Sequence, residues 1–190
     1  VIGVNGTGKS TLLKIIAGIE EPDEGNVIKG RNVTVTYLAQ SPDHAKDETV
    51  RSYVMRGKAN ASEAKAKEIL NKLGIGAFDA SMDMLSGGQK KRVALAKALV
   101  EPTEVLILDE PTAGLDPKGR DDILECIKQL REETGITVIL VSHSMEDVAR
   151  YVSRIMVMDD GVLKYDDTPR NVFAHHKELE HIGLAAPQVT

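Results

Sequence analysis

The chain has 190 residues, of which 42% are hydrophobic and 28% charged, and its formal net charge is −5. That is enough for one large domain with its own core, and the negative balance gives no overall pull toward nucleic acid or anionic lipid. A single cysteine, Cys126, excludes an intrachain disulfide and suits a reducing compartment. No apolar stretch approaches the roughly 20 residues of a membrane span and no signal peptide precedes the first motif, so a membrane role is expected only through a partner.

The run Val1-Ile2-Gly3-Val4 is short and apolar and predicts a strand buried on both faces. It opens into Gly3-Val4-Asn5-Gly6-Thr7-Gly8-Lys9-Ser10, the P-loop pattern. Glycines there let backbone N–H groups face phosphates, and the helix expected over Lys9 to Ala17 presents its N-terminus to the same anions before Gly18 stops it. Asn5, Gly6, Thr7, Gly8, Lys9, Ser10 and Thr11 are the candidate nucleotide contacts. Lys9 is expected on the β- and γ-phosphates and the Ser10 hydroxyl on Mg2+. A glycine-rich turn that merely joins strand to helix is the alternative.

Glu20 to Gly25 is a turn cluster. Asn26 to Ile28 and Asn32 to Leu38 read as two strands joined at Lys29-Gly30-Arg31, a small antiparallel patch. Pro42 to Asp47 reads as loop, followed by helices over Thr49 to Arg56 and Ser62 to Leu73, the second N-capped by Ser62 and ended by Gly74 and Gly76. Leu85-Ser86-Gly87-Gly88-Gln89 then opens a helix running to Leu99, again an anion site made of backbone donors. Lys90, Lys91 and Arg92 follow at once, where cations oppose the helix dipole. Either a nearby phosphate or a solvated basic face accounts for them.

Val105 to Leu108 predicts a strand ending in Asp109-Glu110. Asp109 is expected to hold Mg2+ through water, and Glu110 to orient and deprotonate an attacking water; a solvated carboxylate pair is the plain alternative. Pro117 starts a helix to about Glu133, with Cys126 on the apolar stripe Ile123, Ile127, Leu130 and so expected in the core. Ile136 to Val141 is a strand ending in Ser142-His143, Met145 to Tyr151 a helix, and Ile155 to Met158 a strand. Asp159-Asp160-Gly161 turns into Val162 to Tyr165, and short helices follow from about Pro169.

Three apolar runs thus end in phosphate-chemistry motifs, and ligands of parallel sheets bind beyond the carboxyl ends of strands. The expected fold is α/β: a P-loop core (1–41 and 84–168) with a mainly parallel sheet and a small antiparallel patch, a helical insert (42–83), and a helical tail (169–190). The motifs are expected to converge on one sheet edge.

With Leu85 to Gln89 preceding the Asp109-Glu110 strand, the chain resembles the nucleotide-binding domain of ATP-binding-cassette proteins over essentially its whole length. The resemblance implies that Gln40, in Tyr37-Leu38-Ala39-Gln40, is the Q-loop glutamine, contacting Mg2+ and the water and sensing a partner. It makes Ala113-Gly114-Leu115-Asp116 the D-loop and His143 the switch histidine on the γ-phosphate. It also implies a head-to-tail dimer, identical or paralogous, in which the signature with Ser86, Gly87, Gly88 and Gln89 completes the opposite subunit's phosphate site, and it makes Asp116 a further nucleotide-binding residue.

Members of that family begin with strands bearing an aromatic residue that stacks on adenine. Such a segment would precede Val1, and Tyr37 and Tyr53 do not match it, so the chain reads as cut or redesigned at its front. Val4 to Gly18 and Lys90 to Leu99 resemble ABC-F translation factors, whereas the chain from Glu110-Pro111-Thr112-Ala113-Gly114-Leu115-Asp116-Pro117 to the tail Ile182-Gly183-Leu184 resembles ATPase subunits of energy-coupling-factor vitamin or cobalt importers; a mosaic would explain both. His175, His176 and His181 read as a solvated helix face or, alternatively, metal ligands.

The function these readings imply is Mg-ATP hydrolysis coupled to transport, with a second ATPase subunit and a transmembrane subunit as partners. Such a protein would be cytoplasmic and peripheral on the inner face of the membrane. The alternatives are a fragment of a ribosome-acting translation factor and an engineered or truncated scaffold with little turnover.

Overall fold

The computed structural model describes residues 1–40 and 43–184. Ser41, Pro42 and the residues after Leu184 lie outside the described residues, and with them the start of the expected Pro42 loop and the end of the tail. The chain forms two compact units, Val1–Ile28 with Ile139–Thr190, and Lys29–Val138.

In the first unit, Ile2 forms a parallel bridge to Val157, with Ile2 N donating to Met156 O at 2.9 Å and Met158 N to Ile2 O at 2.8 Å. On the other side Val1 N donates to Leu140 O at 2.5 Å. The expected four-residue strand is therefore a single bridge. Gly3, at φ 155, already turns the chain out of the ladder into the loop. Helix α1 (Lys9–Ala17) follows and ends at Gly18, whose left-handed φ of 79 lets its N–H return to the last-turn carbonyls.

Strands β4 (Ile155–Asp159) and β5 (Val162–Asp167) form an antiparallel hairpin. Asp160 and Gly161 both have positive φ (46 and 74), the backbone of a tight hairpin turn. β5 runs two residues past Tyr165 because Asp166 and Asp167 pair opposite Met156 and Ile155. Helices α6 (Met145–Tyr151) and α7 (Pro169–Ala174) are capped by Ser144 and Thr168, and α8 spans His176–His181. Ile2, Met145, Val148, Ile155, Val157, Val172 and Leu179 make the buried core of this unit.

The second unit is built around α4 (Gly87–Leu99). Val93, Ala94, Leu95, Ala96 and Ala98 are buried, and the helix packs against α2 (Val50–Met55), α3 (Glu63–Lys72), α5 (Pro117–Thr134) and strand β1 (Val35–Leu38). Small and branched residues on most of its faces allow this close approach. Thr49 and Ser62 cap α2 and α3, as Ser62 was expected to do. β1 pairs in parallel with β2 (Val105–Asp109), and strand β3 spans Thr137–Val141.

Two expectations change here. Asn26 to Ile28 is not a strand; Ile28 is 94% exposed, and β1 begins only at Val35, after Asn32 turns the chain at φ 64. The antiparallel pair of the fold is the β4–β5 hairpin. Cys126 is half-buried rather than in the core, because the stripe on α5 buries Ile123 and Ile127 and leaves Cys126 at its edge.

Candidate functional site

The first unit carries the phosphate loop. Gly6 and Gly8 have φ of 85 and 87, and a Cβ at either would meet nothing within 4 Å, so the loop presents open backbone at the start of α1. No side chain caps that helix, which leaves its first N–H groups directed toward the loop's open side. Thr7 is buried, its hydroxyl donating to Val4 O at 2.9 Å. Lys9 is 6% exposed, with Nζ donating to Gly3 O at 2.9 Å and Val4 O at 2.7 Å. A desolvated ammonium held by carbonyls at the base of a glycine loop is suited to receive an anion that replaces water. Asn5, Ser10 and Thr11 are exposed on the same loop and first turn, and His143 is exposed between β3 and α6.

Gly3 is fixed by close approach. A Cβ there would lie 2.3 Å from Met158 O and 2.8 Å from Thr7 Oγ1. Only glycine lets the chain pass β4 and enter the loop.

The second unit carries the carboxylates. Asp109 ends β2, 8% exposed, and its Oδ2 accepts from the Tyr37 hydroxyl at 2.8 Å. Glu110 follows with φ 48, and its Oε2 accepts from Gln40 Nε2 at 3.0 Å. Lys91 Nζ donates to Gln40 O at 2.5 Å and Glu110 O at 3.3 Å. Arg92 pairs with Asp122 at 3.1 Å. The basic run is thus not simply a solvated face, nor does a phosphate have to explain it: Lys91 and Arg92 have partners in their own unit. Tyr37 and Lys91 are the residues that spacing alone missed.

Ser86 caps α4 in a reciprocal box. Gln89 N donates to Ser86 Oγ at 3.3 Å, and Ser86 N to Gln89 Oε1 at 2.9 Å. Ser86, Gly87, Gly88 and Gln89 line a cleft of about 480 Å³ with Gly114, Leu115 and Asp116. Asp116 itself caps α5, accepting from Gly119 N at 3.0 Å.

Of the tail histidines, His175 stacks on Tyr165 at 4.8 Å and lies 3.5 Å from Glu178. Among the described residues no cluster of three or more His, Cys, Asp or Glu side chains could hold a metal ion. Ser10 in the first unit, and Gln40 and Asp109 in the second, each carry an oxygen donor of the kind that suits Mg2+.

A glycine cradle at a helix start and a strand ending in a buried aspartate followed by glutamate define the P-loop class of nucleoside triphosphatases. The model of the ABC transporter family matches residues 1–113. The Acetivibrio thermocellus energy-coupling factor transporter ATP-binding protein EcfA2 is 42% identical, over 100% of this chain and 75% of its own length. Its Clostridium tetani counterpart is also 42% identical, over 100% and 74%. The solved structure of cbiO1 from Clostridium perfringens, part of the ABC transporter complex cbiONQ, superposes with a TM-score of 0.81 at 33% identity, covering 96% of this chain and 82% of that one. A putative metal-chelate type ABC transporter at 24% identity has the same fold, with a TM-score of 0.81.

The chain belongs to the ABC transporter family and is an ABC ATPase domain that binds ATP. The same relatives match it from end to end, so the front half needs no separate ABC-F origin, and the mosaic and translation-factor readings fall. No helix among the described residues is long and apolar enough to cross a membrane.

Proposed function

We propose that this chain is an ATP-binding subunit of an energy-coupling-factor type importer, and that it hydrolyses Mg-ATP between itself and a second ATPase subunit to drive a transmembrane partner. The relatives' names, an energy-coupling factor transporter ATP-binding protein and part of an ABC transporter complex, support the transporter class and assembly with partners. On this reading the protein sits peripherally on the cytoplasmic face of the membrane. Residues 1–41 and 84–168 make its core, 42–83 its helical insert and 169–190 its tail.

The observation that carries the chemistry is the Gln40 amide held 3.0 Å from the Glu110 carboxylate, one residue beyond the buried Asp109. Glu110 takes the proton of the attacking water, and the Gln40 amide fixes the orientation of that carboxylate. Lys9 and the N–H groups of Gly6, Thr7 and Gly8 bind the phosphates, while Ser10, Gln40 and Asp109 would hold Mg2+, which neutralises charge on the phosphate oxygens. His143 stabilises the γ-phosphate. Ser86, Gly88 and Asp116 serve the nucleotide of the second subunit.

Steady-state ATPase activity measured against protein concentration, beside Glu110→Gln, tests this. Activity rising more steeply than linearly and abolished by the substitution is expected. Linear activity, or a Glu110→Gln protein that turns over normally, would overturn it.

A further inference from the structure

Glu110 occupies a left-handed backbone conformation (φ 48) that Asn and Asp take readily and glutamate does not. Something has to hold it there. Its carbonyl accepts from Ala113 N at 3.1 Å and from Lys91 Nζ at 3.3 Å. The same ammonium donates to Gln40 O at 2.5 Å. Lys91 therefore joins the ends of β1 and β2 from helix α4, at the two residues whose side chains meet at 3.0 Å. Its stem lines an apolar crevice with Leu38, Ala39, Leu108 and Pro111. Burial there pushes the Lys91 pKa down while the Glu110 charge pulls the other way.

We infer that Lys91 is a positioning residue for hydrolysis: by holding the Gln40 and Glu110 carbonyls to α4, it sets the geometry in which the Gln40 amide orients the Glu110 carboxylate. This rests on the reading of Glu110 as the base. Lys91 acts on backbone, so its loss should spare nucleotide affinity and slow the chemical step. Misplacing a catalytic group by about 1 Å costs up to about 100-fold in rate.

The test is steady-state kinetics on the whole chain for wild type, Lys91→Met, Lys91→Arg, Glu110→Gln, Gln40→Ala and the Gln40→Ala/Lys91→Met pair, each with a thermal melt. Lys91→Met should lower kcat about tenfold or more with KM for ATP within about twofold, and Lys91→Arg, which still donates to two carbonyls, should restore most of it. The double variant should be no slower than the slower single one, because both changes disable the same unit. A merely structural role would give multiplying losses with a lowered melt, and that result would overturn the inference. So would an unchanged kcat in Lys91→Met, or an arginine variant as slow as methionine, beside an inactive Glu110→Gln. An active Glu110→Gln would instead sink the assignment of the base.

Discussion

The hydroxyl of Tyr37 donates to Oδ2 of Asp109 at 2.8 Å, although 72 positions separate the two residues. The parallel register of β1 on β2, with Tyr37 opposite Ile107, brings the ring beside the end of the neighbouring strand. Tyr37→Phe keeps the ring and removes a donor from a buried carboxylate. Hydrogen bonds to charged groups contribute about 1.5–3 kcal/mol, so urea unfolding should show a loss of about 1–2 kcal/mol. A less well oriented Asp109 should also raise the Mg2+ concentration for half-maximal ATPase activity severalfold. Unchanged unfolding and an unchanged Mg2+ midpoint would mean that the hydroxyl does neither job.

Ser62 and Ser86 perform the same local task on different helices. Each accepts from the N–H three residues on, Lys65 at 3.2 Å and Gln89 at 3.3 Å. Alanine at either should cost about 1 kcal/mol of stability. Their activities should part, since only Ser86 borders the cleft with Gly88 and Asp116. Ser62→Ala should keep nearly full ATPase activity and Ser86→Ala should lose most of it. Equal activities at equal stability would remove the proposed role of the Ser86 loop.

Gly3 and Gly6 should fail differently. At Gly3 the new methyl group would collide with Met158 O and Thr7 Oγ1, so Gly3→Ala should lose at least about 2 kcal/mol in a melt or not fold. At Gly6 there is space but φ is 85. Gly6→Ala should stay folded, with its loss falling on ATP binding, measured by titration with a fluorescent nucleotide. A stable Gly3→Ala protein would show that the loop can leave β4 freely.

Burial raises the Cys126 thiol pKa from 9.0; Arg92 acts against this and Asp122 and Glu125 with it. The folded value lies above the unfolded one, so the neutral thiol contributes stability below about pH 9, which is lost as pH rises through the folded value. Alkylation from about pH 7 to about pH 10 should be slower in the native protein than in urea, with native rates climbing later. A native rate equal to the unfolded one would contradict the raised value.

Local signals were legible where chemistry is local. Ser86 with Gln89 marked the start of α4, Asp160-Gly161 the hairpin, Pro117 the start of α5 and Gly18 the end of α1. The run Asn32 to Leu38 announced a strand but not its partner, which is the distant β2. Asn26 to Ile28 had strand composition without a neighbour to pair with. Lys91 looked like part of a charge run because its acceptors are two backbone carbonyls, which no residue pattern displays.

Helix α4 places the Ser86 cap at its first turn and Lys91 about 7.5 Å further along its axis, at 1.5 Å per residue. Its next turns are locked into the unit by Val93, Ala94, Leu95 and Ala96. The ammonium lies between the capped end and this locked part, so a displacement of the helix start would reach it through less than two turns, as in a crank. If a neighbouring subunit's nucleotide draws that first turn toward itself, the grip on the Gln40 and Glu110 carbonyls changes in the same stroke. Timing between two nucleotides would then need no route longer than two turns of one helix.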